Sequence, residues 1–354
     1  MQAISPRKSA IDSMIDSVFD RDAANFWLQK VNSLWSVNQS LGKIVAKQTN
    51  GTDTVSLTIK TNNKFQKAQA GQHHPVIIKS NGRLFERTYS LTQVDDQHVL
   101  LTAKKVQGGI VSTWLTEQAK VGDVIEFGQP YGEMTVSEQT HSLLLVAAGS
   151  GITPMYSLLC QLLEKNKSNT SIQLMYWVKQ EDDIAFKTEL QLFAQQYPNF
   201  KLQIFCTQSH QADLRIGRHN LNQIENLSNS TVYVCGPSGF VNTAEQLFSN
   251  AQVLKTEAFS LTPIISDDVG TIQVTLSKSQ KTVSIPKGQS ILAGLEQQNI
   301  QPIHGCRMGI CNKCACNKSQ GSTKNLVTGA ENSEPGNLLK ICVNSAQTDL
   351  TIDL

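Results

Sequence analysis

Residues 306–314 read Cys306-Arg307-Met308-Gly309-Ile310-Cys311-Asn312-Lys313-Cys314, and one more cysteine, Cys342, stands far downstream. Three thiolates at C-x4-C-x2-C spacing with a distant fourth form the ligand pattern of a plant-type [2Fe-2S] cluster. Gly305 and Gly309 allow the chain to wrap tightly around such a cluster and to bring backbone N–H groups close to its sulfides. The pattern therefore predicts a protein that handles single electrons, with the iron ligands Cys306, Cys311, Cys314 and Cys342.

Two other chemistries use clustered cysteines, namely a zinc site and a disulfide framework. A zinc ribbon needs a second C-x2-C pair, and this chain has the lone Cys342 in that place. Zinc and disulfides remain the alternatives to the cluster. Cys316 is a fifth thiol beside the loop, and we expect it to be a bystander because four thiolates complete the ligand set. Free, buried thiols are expected in the apolar segments, at Cys160, Cys206 and Cys235.

The length of 354 residues predicts two or three domains. A formal net charge of +2, with 17% charged residues and no polybasic run, does not indicate a nucleic-acid or anionic-membrane partner. The partner is therefore expected to be a protein or a small molecule. The strongest apolar run, residues 143–148, is too short for a transmembrane segment, and residues 1–10 lack the apolar core of a signal peptide. Free thiols beside a cluster predict a cytoplasmic protein.

The first 40 residues form a predicted helical extension. Apolar positions between residues 11 and 19 recur at helical spacing, and a second helical piece is expected through Phe26, Trp27 and Trp35. Acids and bases flank the apolar stripe formed by these positions in similar numbers. This favours packing of the extension against the main body over a membrane-surface anchor.

Residues 41–137 change to short alternating segments separated by turn residues, which predicts an antiparallel barrel or sandwich. The predicted strands are Gly42–Lys47, Thr54–Lys60, Val76–Lys79, Arg87–Leu91, His98–Lys104 and Asp123–Phe127.

Residues 138–260 alternate apolar strands with amphipathic segments, which predicts a parallel sheet covered by helices. The predicted strands are Ser142–Ala147, Ile172–Trp177, Leu202–Cys206 and Thr231–Val234, and the helices are Pro154–Glu164, Asp183–Gln196 and Ser238–Phe248. Residues 261–270, with a proline and two aspartates, are expected to be a linker. Residues 271–354 form the predicted cluster domain, beginning with strands Thr271–Leu276 and Thr282–Ile285.

Four motifs lie upstream of the cysteines: Arg87-Thr88-Tyr89-Ser90, Gly108-Gly109-Ile110-Val111-Ser112, Ala147-Ala148-Gly149-Ser150-Gly151-Ile152-Thr153-Pro154 and Cys235-Gly236-Pro237-Ser238-Gly239-Phe240. Alone, the first is an ordinary pair of strand side chains. The third is a glycine-rich turn from strand to helix, which places phosphate against a helix N-terminus with Pro154 at the first helical position. It departs from G-x-G-x-x-G, and a tight turn without a ligand remains its alternative.

Together these motifs resemble the ferredoxin-NADP(+) reductase superfamily. The resemblance implies that Arg87 neutralises the phosphates of a flavin, that Tyr89 stacks on its isoalloxazine and that Ser90 approaches the N5 atom, which accepts hydride. Thr88 belongs to the same motif. The implied pyrophosphate contacts are Gly108, Gly109 and Ser112, and the implied nicotinamide-nucleotide contacts are Gly149, Gly151, Thr153, Pro154, Cys235, Gly236 and Pro237.

The resemblance also assigns Glu257-Ala258-Phe259 to the end of the nicotinamide domain, where the acid and the ring approach the flavin. The same residues are alternatively the start of the linker. Lys179 and Arg215, together with Arg218, follow the second and third parallel strands, where bases favour NADPH and an acid favours NADH. Asp182 and Asp183 stand nearby, so both nucleotides remain open, with NADPH preferred.

The order of domains resembles that of reductase components of multicomponent oxygenases. It implies an FAD-binding β-barrel, an NAD(P)-binding α/β domain and an α+β, β-grasp-like [2Fe-2S] ferredoxin domain, which pass electrons from NAD(P)H to an acceptor protein. The N-terminal extension resembles those of reductases serving fatty-acid desaturases or alkane hydroxylases. The alternatives are the reductase of an aromatic-ring dioxygenase, an FMN-dependent relative, and a redox sensor or electron-transfer subunit without NAD(P)H activity.

Overall fold

The structure is a computed structural model, which describes residues 20–80, 82–137, 140–164, 170–208, 214–224, 226–260, 270–309, 311–327 and 329–354. The first element is helix α1, Arg21–Val31, and Asp20 caps it by accepting hydrogen bonds from the backbone N–H groups of residues 22 and 23. The predicted helix at residues 11–19 and most of the predicted linker lie outside the described residues.

The extension contacts the residues that follow it through polar groups. Buried Asn25 accepts hydrogen bonds from Ser36 and from the backbone of Val37. Phe26, Trp27 and Trp35 are 55%, 69% and 51% exposed, and Trp35 lies beyond the helix. Asparagine hydrogen bonds hold the helix while these rings are exposed, and the packing predicted for the apolar stripe at residues 11–19 lies outside the described residues.

Six antiparallel strands close into a barrel in the order β1-β2-β5-β4-β3-β6. Apolar side chains such as Ile44, Leu57 and Leu101 fill its interior. A short helix α2, Ile110–Thr113, and a π-helical turn, Trp114–Gln118, follow the fifth strand. The predicted barrel is confirmed, with strands β1 Leu41–Thr49, β2 Thr54–Thr61, β3 His73–Ser80, β4 Arg83–Gln93, β5 His98–Lys104 and β6 Val124–Phe127.

Five parallel strands form the second domain, in the order β11-β10-β7-β8-β9. The predicted parallel sheet is confirmed, but its edge strand β11 was not predicted, because Lys255, Thr256 and Glu257 interrupt the apolar pattern that marks the central strands. The strands are β7 Ser142–Ala148, β8 Ser171–Val178, β9 Phe200–Cys206, β10 Thr231–Pro237 and β11 Val253–Ser260; the helices are α3 Ile152–Glu164, α4 Lys187–Gln196 and α5 Ser238–Leu247.

Two helix starts differ from the prediction. A 3-10 turn at Gly149–Gly151 leads into α3, so Pro154 is the third helical residue rather than the first. Proline is tolerated there because the first N–H groups of a helix have no partner within it. Helix α4 begins at Lys187 rather than at Asp183, because Phe186 before it has a left-handed φ of 58°.

The C-terminal domain is a mixed sheet in the order β13-β12-β19-β14-β17, with a small sheet β16-β15-β18 and helix α6, Ile291–Gln297. Strands β12 and β19 are parallel neighbours, as expected of the predicted β-grasp-like fold. The cysteine loop precedes β14, and Cys342 lies in the turn before β18. The strands are β12 Thr271–Leu276, β13 Lys281–Pro286, β14 Ala315–Gln320, β15 Thr323–Asn325, β16 Glu331–Asn332, β17 Asn337–Lys340, β18 Asn344–Ala346 and β19 Leu350–Ile352.

Candidate functional site

The motif of residues 87–90 lies in β4 and pairs with β3. Ser90 is buried, and its Oγ lies 3.2 Å from Nδ1 of His73 on the facing strand. The Thr88 hydroxyl is hydrogen-bonded to the Tyr131 hydroxyl at 2.8 Å. Burial raises the pKa of Tyr89 far above its usual value, so its phenol is neutral. The motif therefore presents a neutral aromatic ring and a hydroxyl that a histidine holds in place.

Arg87 brings a positive charge to the same place. Its Nη1 donates a hydrogen bond of 2.6 Å to the Glu86 carbonyl and lies 3.5 Å from the carbonyl of Gly305, in the loop before Cys306. Burial and then the nearby charge of Arg307 lower the pKa of Arg87. Glu296 forms an ion pair with Arg307, so two guanidinium groups face one carboxylate, and the positive charge that remains suits a phosphate.

The glycine turn of residues 108–112 begins α2. Gly108 has a φ of +73°, and a side chain at Gly109 would place its Cβ 2.6 Å from the Ser112 Oγ. Ser112 accepts a hydrogen bond from the backbone of Val106 and donates one to the Gly109 carbonyl. The Ser112 hydroxyl thus stabilises the turn itself, and glycine keeps the backbone open to a ligand.

These motifs line one cavity of about 370 Å³, which all three domains share. The barrel contributes β4, β5 and the glycine turn, and the parallel-sheet domain contributes Ser150, Thr153 and Phe259. The cluster domain contributes Cys306, Arg307 and Met308. The apolar part of the lining suits a flat aromatic group. The two arginines and the glycine backbone suit a phosphate tail on that group.

The two glycine motifs of the parallel sheet lie against each other. A Cβ at Gly151 would lie 2.0 Å from the Cys235 carbonyl oxygen, so only glycine allows this approach. Thr153 donates a hydrogen bond to the Ser150 carbonyl. Cys235 is fully buried, and burial raises the pKa of its thiol well above the usual value, with the Glu257 carboxylate as a second cause. A neutral thiol is a weak nucleophile, and the role of Cys235 as a neighbour of the nicotinamide ring stays a prediction.

Glu257 and Phe259 belong to β11, so they form part of the sheet and not of a linker. Glu257 Oε1 lies 3.2 Å from Nε2 of His73. The histidine links Glu257 to Ser90 and was not predicted from the sequence. The sequence feature that could have indicated it is the dipeptide His73-His74 before Pro75. The β3–β4 register places His73 opposite Ser90 and His74 opposite Tyr89.

Lys179 and Arg215 follow β8 and β9 near one edge of the sheet. The Trp177 indole donates a hydrogen bond to the Leu214 carbonyl, which brings the segment carrying Arg215 to the end of β8 beside Lys179. Asp183 forms an ion pair of 2.8 Å with Lys104 of the barrel. Asp183 therefore joins two domains.

The four predicted ligand cysteines form two pairs. The hydrogen bond with Cys342 lowers the pKa of Cys314 to about 7, and the Cys306 side chain raises that of Cys311. The Cys306 Sγ also accepts a hydrogen bond from the backbone N–H of Met308. No three His, Cys, Asp or Glu side chains of the described residues gather as a site for a metal ion. Two pairs of sulfurs are the arrangement expected of the ligands to the two irons of a [2Fe-2S] cluster.

An ion pair joins the cluster loop to the barrel. Lys313 Nζ lies 2.5 and 2.7 Å from the two carboxylate oxygens of Glu86, the residue before Arg87. Cys316 points into the core of the cluster domain, where burial raises its pKa to about 12. Cys316 is thus placed as a core side chain.

Three family profiles match the chain in the order of these domains. They are the oxidoreductase FAD-binding domain over residues 42–136, the oxidoreductase NAD-binding domain over residues 145–246 and the 2Fe-2S iron-sulfur cluster binding domain over residues 274–344. A protein named NADPH oxidoreductase from Mycobacterium tuberculosis is 30% identical over 340 residues, covering 93% of this chain and 88% of the relative. The chain belongs to the ferredoxin-NADP(+) reductase superfamily.

Two further comparisons agree with this reductase assignment. Phthalate dioxygenase reductase from Burkholderia cepacia is 25% identical over 302 residues, covering 81% of this chain and 88% of the relative. A solved structure of phthalate dioxygenase reductase has the same fold, with a TM-score of 0.66, 23% identity and coverage of 89% and 98% of the two chains. The reductase is an NAD(P)H-dependent oxidoreductase that uses FAD and a [2Fe-2S] cluster. None of its described helices is long and apolar enough to cross a membrane.

We expect the cysteine variants to separate ligands from bystanders. Cys342→Ser removes one of four iron ligands, so the purified reductase should lose the visible absorption and the EPR signal of a reduced cluster. Cys316→Ser should keep both, because its side chain lies in the core. Iron content and EPR after dithionite reduction measure this. Loss of the cluster in Cys316→Ser with retention in Cys342→Ser would overturn the ligand assignment.

We expect Lys313→Ala to slow electron transfer from flavin to cluster about fivefold at low salt, because a partly exposed ion pair contributes up to about 1 kcal/mol. Glu86→Gln should have the same effect, and stopped-flow absorbance at cluster wavelengths measures both. Lys187→Ala, which breaks the exposed ion pair with Glu181, is the control. If the double variant of Glu86 and Lys313 loses the sum of the two single effects, the two residues do not act as a pair.

Proposed function

We propose that this reductase carries electrons from NADPH through FAD and the [2Fe-2S] cluster to a membrane-bound fatty-acid desaturase or alkane hydroxylase. The observation that carries the proposal is the cavity shared by the three domains, in which the flavin motif, the nicotinamide-side residues and the Cys306–Met308 loop meet. Buried cysteines outside any disulfide, such as Cys160 and Cys235, suit a reducing cytoplasm.

In the proposed site, Tyr89 stacks on the isoalloxazine, Ser90 meets its N5 atom and Arg87 binds phosphate. When bound, a flavin accepts a hydride, which carries two electrons, and it can release these electrons one at a time. The chain's own contribution would be positioning, because Phe259 and the strand end at Cys235 would hold the nicotinamide against the flavin.

The choice of NADPH rests on charge. Lys179 and Arg215 offer two cations near one sheet edge, and of the two nearby acids, Asp182 and Asp183, the second is paired with Lys104. Cations recognise a 2'-phosphate, whereas a ribose hydroxyl is bound by a free acid. The Mycobacterium tuberculosis relative carries NADPH in its name, and a relative from Escherichia coli that is 26% identical over 253 residues is named an NADH oxidoreductase.

The choice of a membrane acceptor rests on the extension. Phe26, Trp27 and Trp35 expose half or more of their surface, and tryptophan is enriched where proteins meet the membrane interface. An aromatic-ring dioxygenase is the second candidate, because phthalate dioxygenase reductase aligns with most of the chain.

The donor is tested by steady-state kinetics with both nucleotides. Hydrogen bonds to charged groups contribute roughly 1.5–3 kcal/mol, so Arg215→Ala should lower kcat/KM for NADPH about 10- to 100-fold and leave NADH unchanged. Lys201→Ala, at the opposite end of β9, is the control. Equal losses for NADPH and NADH would contradict a contact with the 2'-phosphate.

The acceptor is tested by reconstitution. The reductase with NADPH should support product formation by a fatty-acid desaturase or an alkane hydroxylase in proteoliposomes. Trp27→Ser and Trp35→Ser should raise the KM for that acceptor and leave ferricyanide reduction unchanged, because ferricyanide needs no membrane contact. Turnover with a ring dioxygenase, and none with the membrane enzymes, would select the second candidate.

A further inference from the structure

A second cavity lies where the barrel meets helix α3 of the parallel-sheet domain. Its volume is about 490 Å³, and among the described residues none lines both this cavity and the flavin cavity. Helix α3 contributes Ser157, Cys160 and Gln161 to its lining. The Ser157 hydroxyl donates a hydrogen bond of 2.9 Å to the Leu91 carbonyl of β4, which joins the walls of the two domains. The cofactor motifs leave this cavity without a role.

The barrel side of this cavity is largely apolar. Phe65, Leu91 and Val99 line it, and the last two are buried. The ring of Phe65 stacks on the ring of His74 at a centroid distance of 4.8 Å and an interplanar angle of 16°. Because an apolar cavity of about 150 Å³ holds one benzene molecule, the larger volume here suits an occupant with two or more rings.

One buried polar atom of a lining residue lacks a partner. His74 lines the cavity, is 1% exposed, and has its Nε2 at 2.8 Å from the Gln66 carbonyl oxygen. A carbonyl only accepts, so Nε2 carries the imidazole proton and Nδ1 is an acceptor. Burial is the main cause that lowers the pKa of His74, which favours the neutral ring. Within the described residues Nδ1 has no hydrogen-bond partner, so a donor from outside the chain must satisfy it.

The charged groups of the lining are paired with each other or with neighbouring residues. Asp96 forms an ion pair of 2.8 Å with Lys67. Asp95 accepts hydrogen bonds from the backbone N–H groups of residues 97 and 98, and its Oδ2 lies 2.9 Å from His98 Nδ1. Since these three are the charged residues among the described lining, no unpaired charge awaits an ionic ligand. The cavity therefore favours a neutral occupant.

We propose that this cavity is a binding site for a small neutral aromatic alcohol, of the class of phenols with two fused rings. The rings of the ligand pack against Phe65 and Leu91, and its hydroxyl donates a hydrogen bond to His74 Nδ1. The ligand contacts the strand in which Leu91 follows Ser90, and it contacts helix α3, which follows the turn Gly149–Gly151. It therefore bridges the two domains and leaves the flavin cavity open.

The test measures binding of 2-naphthol to the FAD-loaded holoenzyme by equilibrium dialysis, with 2-methoxynaphthalene as the matched ligand. The two molecules share their fused rings, but only 2-naphthol has a hydrogen-bond donor. One neutral hydrogen bond should make 2-naphthol bind roughly 3- to 10-fold more tightly. His74→Phe keeps a ring beside Phe65 and removes Nδ1, so this variant should bind the two ligands equally well.

A variant that fills the cavity tests where the ligand binds. Ala68 lines the cavity from a loop, and Ala68→Phe should weaken binding of 2-naphthol about tenfold or more, because the new ring takes up apolar space. Ala194→Phe adds the same ring at an exposed position of α4 and should leave binding unchanged. Saturating NADP+ should also leave binding unchanged, because the nucleotide motifs do not line this cavity.

Equal affinities of 2-naphthol and 2-methoxynaphthalene for the wild-type holoenzyme would remove the hydrogen bond to His74 and overturn the proposal. Binding of 2-naphthol that survives Ala68→Phe, or that NADP+ abolishes, would place the ligand elsewhere and overturn it as well. If Ala68→Phe does not fold, the ligand pair and the NADP+ experiment on the wild-type holoenzyme still decide. The proposed electron path fails on a different result, namely that neither NADPH nor NADH bleaches the flavin.

Discussion

The register of β3 against β4 is the constraint on which the flavin side of the molecule depends. Pairing places Ser90 opposite His73, Tyr89 opposite His74 and Arg87 opposite Val76. Alternate residues of a strand point to opposite faces, so a slip of one residue would turn the cavity-facing side chains away. The register is fixed by closure of the barrel, because β3 also pairs with β6 and β4 with β5. The apolar side chains inside the barrel are buried, and a shifted register would expose them, so other registers are excluded.

The second constraint is close backbone approach. The missing side chain at Gly151 brings the turn after β7 against the end of β10, and this contact aligns the two glycine motifs of the parallel sheet. Cys235, whose carbonyl makes this contact, is fully buried. One absent methyl group therefore positions two elements that are far apart in sequence, which is why the motifs are informative even when each is short.

The sequence predicted features that depend on spacing within a short segment: six barrel strands, four of the five parallel strands, the glycine turns and the cysteine loop. It did not predict the edge strand β11, because polar residues interrupt the run of apolar residues that indicates a strand of a parallel sheet. Nor did it predict His73, because its partners come from β4 and β11 and only the folded chain brings them together. Nor did it indicate that Asn25 holds the helix of the extension, because a pattern of apolar residues carries no information about polar contacts.

The ion pair between Lys313 and Glu86 affects the side of the cluster from which electrons can leave. Lys313 precedes the predicted ligand Cys314, and its side chain forms an ion pair with the barrel. Because the barrel occupies that side of the loop, we expect an acceptor protein to meet the cluster from a different side. Flavin and acceptor would then use different surfaces of the cluster domain, and the domains would not have to separate between the two electron-transfer steps.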